Sequence, residues 1–147
     1  MALVDDVRDL ARNPTLHDLE PEALRLIAFS AETRILRAGD ILFRRGDISD
    51  GGYVVLSGSI ALEADGPTTI ARAPMLLGDA ALITETRRPA TALAREPSSV
   101  LKISRSLFHR VLREYPDSAV RLRRTLADRL DALGQDLDIL RIEAFEA

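Results

Sequence analysis

The sequence predicts a mainly β fold with α-helices at both ends. Apolar residues recur at helical spacing before residue 31 and after residue 104. The stretch between them consists of short β-branched runs that are separated by Gly, Pro and Asp turns. Closely spaced short strands of this kind are typical of a β-barrel or β-sandwich. The 147 residues contain no internal repeat and no long linker, so we expect a single domain over 1–147.

Two short helices are predicted in the N-terminal region, residues 1–30. The first has apolar residues at helical spacing and ends at Asn13-Pro14, because the residue before a proline avoids the helical region. A second helix follows Asp18, its predicted N-cap, and Pro21 occupies its first turn, where the missing N–H costs little.

Seven short strands are predicted in the β region, residues 31–104. The strongest run is rich in β-branched and aromatic residues, and its Tyr53, Val54 and Val55 are expected in the core. The predicted strands are residues 33–36, 41–44, 52–56, 59–63, 68–71, 90–94 and 99–103.

Two further helices are predicted in the C-terminal region, residues 105–143. Ser106 is the predicted N-cap of the first helix, which ends before Pro116. Asp117 or Ser118 is predicted to cap the long second helix.

The long helix carries leucines at alternating spacings of four and three, as in a coiled-coil seam. The seam consists of Leu126, Leu130, Leu133, Leu137 and Leu140. Two interpretations stay open: the seam pairs with a second copy to form a homodimer, or it packs only on its own barrel.

The composition argues against several classes of function. Hydrophobic residues make up 46% and charged residues 29%, the balance of a soluble globular protein. There is no cysteine, and the two histidines, His17 and His109, lie far apart, so we expect no disulfide and no metal site. A net charge of -3 and 4% aromatic residues supply neither the basic surface nor the stacking platform that nucleic acids need.

The N-terminus does not have the pattern of a targeting segment. Residues 1–13 are acidic and lack a continuous apolar core, which argues against a signal peptide. No apolar run approaches the roughly 20 residues that span a bilayer. We therefore expect a cytoplasmic protein that does not associate with membranes.

One stretch, residues 76–91, brings an acid and two arginines close together. It reads LLGDAALITETRRPAT: a glycine-led turn, a short apolar helix, a polar loop and a return to a β-like run. Asp79 and Arg88 can face each other across a small cavity. A guanidinium binds phosphate bidentately, so this pair suits a ligand with hydroxyl groups at one end and an anion at the other.

The chain resembles the cyclic-nucleotide-binding domain family, and two ordered motifs carry the resemblance. GDILFRRGDISDGGYVVLSGSIAL, residues 39–62, resembles the first half of that domain. GDAALITETRRPAT, residues 78–91, resembles its phosphate-binding cassette, usually Gly-Glu-Leu-Ala-Leu, a short loop, then Arg-Ala/Ser-Ala-Thr. The helical ending is also similar. The resemblance implies a double-stranded β-helix, the jelly-roll-like β-roll of catabolite-activator-like domains, with residues 76–91 as the cassette.

The resemblance also implies roles for the cassette residues. Asp79 holds the position of the acid that binds the ribose 2′-hydroxyl in the family, and Arg88 that of the arginine that pairs with the cyclic phosphate. Gly78 permits close approach of the sugar, and Ala80 and Ala81 would offer backbone amides. The predicted ligand-binding residues are Gly78, Asp79, Ala80, Ala81, Arg88, Pro89, Ala90 and Thr91.

Two of these residues depart from the family's pattern. Asp79 stands where the family has Glu, and its side chain is one methylene shorter. Pro89 stands where the family has Ala or Ser and has no N–H for the phosphate. Alternatives stay open for two residues: Asp79 as the N-cap of the short helix, and Arg88 as an exposed loop residue. Arg87 is either solvated or a second anion contact.

The resulting prediction is a regulatory module that binds cAMP or cGMP and signals by movement of its C-terminal helix. An enzyme is not expected, because no nucleophile set stands out. The alternative is a degenerate fold that no longer binds nucleotide and serves as a dimerisation or protein-interaction scaffold. The chain stops at Ala147 without a DNA-binding domain, so a stand-alone module without direct DNA binding is expected.

Overall fold

The computed structural model describes residues 2–133, with side chains described over residues 6–125. The helices in this part of the chain are α1 (Ala2–Arg12), α2 (Pro21–Ser30), α3 (Asp79–Ile83), α4 (Arg105–Glu114) and α5 (Pro116–Leu133). The strands are β1 (Glu32–Leu36), β2 (Ile41–Phe43), β3 (Gly51–Ser57), β4 (Ile60–Glu63), β5 (Thr69–Ala71), β6 (Leu76–Leu77), β7 (Thr91–Ala94) and β8 (Ser98–Ser104).

The strands form two antiparallel sheets of four strands each. The first sheet has the order β1-β8-β3-β6, and the second has the order β2-β7-β4-β5. This arrangement confirms the predicted β-roll with helices at both ends. All seven predicted strands are present within a residue or two of their expected limits. The eighth, β6, has only two residues and is too short to give a periodic sequence signal.

One core lies between the two sheets. Its members come from both sheets and alternate along each strand with residues that face outward. They are Leu36, Tyr53, Val55, Ile60, Ala71, Leu77, Ala92, Ala94 and Val100. Both walls of the β-roll are therefore held together by small and branched apolar side chains.

A second core joins the helices to the outer face of the first sheet. Val54, Leu101 and Ile103 supply the sheet side of this core. The helices supply residues such as Ile27 and Phe108, both almost fully buried. Strand β3 is thus covered on both faces, which explains why Tyr53, Val54 and Val55 are all buried as predicted.

The first N-cap prediction is wrong. Helix α2 starts at Pro21 with Glu20 as its N-cap, because a proline is favoured at the first helical position. Asp18 instead contacts α5, where its carboxylate accepts a hydrogen bond from Thr125 at 2.9 Å. Its backbone carbonyl accepts another from Arg121 at 2.8 Å.

The predicted caps of the C-terminal helices are displaced as well. Strand β8 runs directly into α4, and Ser104, not Ser106, accepts the capping hydrogen bond from the Leu107 amide. Helix α5 starts at Pro116, which places Asp117 inside its first turn. Ser118 is fully buried and accepts a hydrogen bond from the Glu20 amide at 2.9 Å, so it ties α5 to α2.

The predicted leucine seam stays a prediction. Leu137 and Leu140 lie outside the described residues, and so do the side chains of Leu126, Leu130 and Leu133. In the part of the chain that is described, no helix has the length and apolar character needed to cross a membrane. Nor do three or more potential metal-ligating side chains come together there.

Candidate functional site

A cavity of about 330 Å³ lies between the cassette and the strands that face it. This volume falls in the lower part of the range of small-molecule sites. Its lining includes seven of the eight predicted ligand-binding residues: Gly78, Asp79, Ala80, Ala81, Arg88, Pro89 and Ala90. Thr91 is not part of the lining, and its hydroxyl accepts a hydrogen bond from the Arg45 amide at 3.0 Å.

Gly78 forms the turn that leads into α3. It is the N-cap residue of that helix and has a φ of +86°, in the left-handed region that favours glycine. A Cβ added at this position would lie 2.7 Å from Nη1 of Arg88. The absence of a side chain at Gly78 therefore makes room for the arginine side chain.

Asp79 is the first residue of α3, not its N-cap. Its Oδ1 accepts a hydrogen bond from the Ala80 amide at 2.8 Å, and the Ala81 amide donates to the Gly78 carbonyl at 3.1 Å. Both amides that were expected to face a ligand are thus engaged within the cassette. An anion that used the Ala80 amide would have to replace the Asp79 carboxylate.

Arg88 points into the protein, so its interpretation as an exposed loop residue is wrong. Only 4% of the residue is exposed. Its guanidinium carbon lies 4.3 Å from the ring centroid of Phe43 and 5.6 Å from that of Tyr53, so the charge rests against aromatic faces. Among residues 6–125, no carboxylate or carbonyl oxygen accepts a hydrogen bond from this guanidinium.

The surroundings of Arg88 disfavour the charged form of its guanidinium. Burial lowers the pKa of Arg88, because the charged guanidinium has lost water that would solvate it. Tyr53, Asp50 and Asp47 act in the opposite direction, whereas the nearby cation of Arg105 adds to the lowering. A bound anion would relieve this desolvation, since buried charges are normally paired.

The backbone of Arg88 is fixed by the loop that follows β2. Its amide donates to the Asp47 carbonyl, and its carbonyl accepts from the Gly46 amide, both at 2.8 Å. Arg87 is exposed, lines the cavity and donates from Nη1 to the Gly46 carbonyl at 3.0 Å. Pro89 is exposed at the cavity's edge and offers no N–H there.

Sequence reasoning missed the two aromatic rings, those of Phe43 and Tyr53, that the Arg88 guanidinium contacts. Phe43 ends β2, and Tyr53 was assigned only to the core. Their rings lie 5.9 Å apart. The signal that could have found them is an aromatic residue on each of two strands that the resemblance places around the cassette.

Part of the cavity wall is apolar. Leu62, Met75, Leu76 and Leu77 line it. Among residues 105–125, no side chain of α4 or α5 lines the cavity. The site therefore combines a buried cation, a nearby carboxylate and an apolar wall, which suits a ligand with an anion, hydroxyl groups and an apolar ring system.

Comparison with known proteins identifies one family. The family described as cyclic nucleotide-binding domain matches the chain over residues 33–115. These limits enclose both sheets except for the first residue of β1, and they extend to the end of α4.

The chain is also similar to several solved structures, one of which is named for the same kind of domain. The chain is 40% identical to a cyclic nucleotide-binding-like protein from Brucella abortus, with a TM-score of 0.63, over 74% of this chain and 98% of that one. It is 30% identical to the N-terminal domain of a transcriptional regulator from Streptomyces coelicolor, with a TM-score of 0.76, over 86% and 94%.

The curated relatives are much longer proteins. Lysophospholipase NTE1 from Chaetomium globosum is 30% identical over 127 residues, which is 82% of this chain but 8% of that protein. The chain thus spans less than a tenth of the length of the curated relatives it matches.

Proposed function

Because the chain belongs to the cyclic nucleotide-binding domain family, we propose that it is a regulatory module that binds cAMP or cGMP in the cassette cavity. The observation that carries the proposal is the state of Arg88. It is a buried guanidinium that lines the cavity and has no hydrogen-bonded anion within residues 6–125. A cyclic phosphate would supply that anion.

The remaining lining supports the other parts of such a ligand. The Asp79 carboxylate lies at the cavity and is an acceptor suited to a ribose hydroxyl. The apolar wall formed by Leu62, Met75 and Leu76 suits the face of a purine base. The Arg87 side chain at the edge is a candidate second contact for the phosphate, in place of the amide that Pro89 lacks.

The proposed output is movement of the C-terminal helix, without catalysis. A ligand shifts a conformational equilibrium only by its difference in affinity for the two states. In the described arrangement, α5 is bound near its start to Glu20, the N-cap of α2, through Ser118, and near its middle to Asp18 through Thr125. We propose that this position represents one state and that an occupied cassette favours another, in a cytoplasmic protein.

Isothermal titration of the folded chain with cAMP and with cGMP tests the proposal. We expect saturable binding of at least one nucleotide with one site per chain. AMP and GMP, which lack the ring-closed ester, serve as matched comparison ligands and should bind more weakly. If neither cyclic nucleotide binds at millimolar concentration, the proposal is wrong and the interaction scaffold becomes the preferred function.

Replacing Asp79 with glutamate should strengthen cyclic-nucleotide binding by about tenfold. The Asp79 carboxylate accepts a hydrogen bond from the Ala80 amide at 2.8 Å. A side chain one methylene longer reaches further into the cavity toward a hydroxyl group and leaves the Ala80 amide available for the anion. The dissociation constants of the two proteins, measured by the same titration, provide the test.

Asp40→Glu is the matched control for this substitution. The Asp40 carboxylate also accepts a hydrogen bond from a nearby backbone amide, that of Arg37 at 2.8 Å, but it does not line the cavity. Its replacement should leave binding unchanged. Weaker binding by Asp79→Glu would mean that the shorter carboxylate is already the better partner for the ligand.

A further inference from the structure

Arg105 is the first residue of α4, and it donates hydrogen bonds both to α3 and to the loop between β2 and β3. Its Nε donates to the carbonyl of Ala81 in α3 at 2.9 Å. Its Nη2 donates to the carbonyl of Ser49 at 2.8 Å and to the Ser49 hydroxyl at 3.0 Å. Its backbone amide donates to the Asp50 carbonyl at 2.8 Å.

Ser49 is in turn hydrogen-bonded to Thr86, which lies in the loop that precedes Arg88. The Ser49 amide donates to the Thr86 carbonyl at 2.8 Å, and the Thr86 amide donates to the Ser49 hydroxyl at 3.0 Å. A hydroxyl has two acceptor sites and one proton. Since the Thr86 amide and Arg105 use both acceptor sites, the Ser49 proton is donated to the Thr86 hydroxyl, 3.0 Å away. The buried Ser49 side chain is therefore fully satisfied.

The same loop holds Arg88. Gly46 and Asp47, three and two residues before Ser49, bind the carbonyl and the amide of Arg88 at 2.8 Å each. Arg105 is thus connected to both halves of the cassette: directly to α3, which begins at Asp79, and through Ser49 to the segment that carries Arg88.

A second residue of α4 continues the contact to α3. His109 lies one turn after Arg105, and its Nε2 is 3.0 Å from the Ile83 carbonyl. A carbonyl only accepts, so this ring nitrogen carries the proton. The last carbonyls of a helix have no partner within the helix and are often bound by Arg or His side chains. Here the two side chains that bind them belong to another helix.

We propose that Arg105 is a positioning residue for the cassette cavity, and that it couples occupation of the cavity to the α4–α5 pair. One planar guanidinium fixes α3 and the Ser49 loop at the same time, in a way that a point charge on a lysine does not reproduce. A ligand that draws Asp79 and Arg88 together therefore moves the start of α4. The part of this inference that concerns the ligand rests on the proposed function.

Amide hydrogen exchange tests the positioning role without any ligand. We expect Arg105→Gln to raise exchange at Thr86 and Arg88 by about tenfold or more, because their amides are bound to the loop that Arg105 holds. Exchange in β4 should stay unchanged, which distinguishes local release from a general loss of stability. Arg110→Gln is the control, since Arg110 is exposed on the same helix and, among residues 6–125, its side chain donates a single hydrogen bond, to the Ser30 hydroxyl at 3.5 Å.

Arg105→Lys separates the hydrogen bonds from the charge. It keeps a positive charge near Arg88 but loses the planar guanidinium with its several donors. We therefore expect it to raise amide exchange at Thr86 and Arg88 as Arg105→Gln does. Normal exchange in both Arg105 variants would overturn the positioning role. Normal exchange in Arg105→Lys alone would show that charge is sufficient, and would also contradict the proposal.

The coupling is tested with cAMP and cGMP as the probes. In the unmodified chain, the bound nucleotide should slow amide exchange in α4, and Arg105→Gln should lose this effect even at saturating nucleotide. Its affinity should also fall by about tenfold. Ligand protection of α4 that persists in Arg105→Gln would contradict the coupling. Failure of the unmodified chain to bind either nucleotide would overturn the coupling and the proposed function, while the exchange result in the unliganded protein would still decide the positioning role.

Discussion

Replacing Arg88 with methionine is expected to abolish cyclic-nucleotide binding and to stabilise the unliganded protein. Removing one partner of a buried, hydrogen-bonded charge pair costs enough to weaken binding on the order of 100-fold or more. Among residues 6–125, however, the guanidinium is desolvated and is surrounded by aromatic rings and more distant charges rather than by a hydrogen-bonded anion. A methionine of similar length packs against Phe43 without that desolvation, so we expect the free energy of unfolding to rise by about 1–2 kcal/mol.

Titration with both nucleotides and urea unfolding of the unliganded protein measure the two effects. Arg87→Met is the matched control for the stability measurement, because Arg87 is the neighbouring arginine but is exposed. It should leave the free energy of unfolding within about 0.5 kcal/mol of the unmodified value. Loss of stability in Arg88→Met would show that the buried cation supports the fold, and retained binding would remove Arg88 from the proposed ligand contacts.

For Arg88, the sequence could predict the position in the cassette but not the burial of the side chain. The position of Arg88 in the cassette follows from the order of residues between Gly78 and Thr91. Its burial does not, because the side chain is covered by rings from β2 and β3, which are distant in sequence. Sequence reasoning therefore identified the candidate contact but left open whether the side chain was exposed.

The fold was predictable because its signals are local and repeated. Strand runs, glycine turns and the change to helical spacing all occur in short windows of sequence. Helix caps were less predictable, since Asp, Ser and Glu residues near a helix start compete for the same role. Asp18 and Ser118 would both cap well, but each is used to bind another helix in the folded chain. That choice depends on tertiary contacts, which no local pattern contains.

The two alternatives for Asp79 illustrate the same limit. As a cap or as a ligand contact, the residue would occupy the same place in the sequence. The left-handed conformation of Gly78 makes the glycine the N-cap and places Asp79 one residue into α3, where its carboxylate reaches the Ala80 amide. A ligand that uses the Ala80 amide must therefore compete with this internal hydrogen bond.

Gly78→Ala is expected to weaken cyclic-nucleotide binding by tenfold to a hundredfold, while it lowers stability no more than an ordinary glycine replacement. The φ of +86° makes an alanine unfavourable by about 1–2 kcal/mol. The added Cβ would also lie 2.7 Å from Nη1 of Arg88. Because this atom is at the end of a flexible side chain, the guanidinium can move away at little cost to the fold. It then leaves the position in which it lines the cavity, so the effect on binding is roughly the loss of a charged hydrogen bond.

Gly39→Ala isolates the strain from the clash. Gly39 has nearly the same backbone conformation, with a φ of +92°, but a Cβ there meets no atom of the described residues within 4 Å. Both variants should therefore lose a similar amount of stability in urea unfolding, and only Gly78→Ala should lose affinity in the titration. Equal affinities would mean that ligand binding does not depend on the position of the Arg88 guanidinium beside Gly78. A much larger loss of stability in Gly78→Ala would mean that the guanidinium cannot move, because its contacts with Phe43 and Tyr53 hold it more firmly than the added methyl group pushes it.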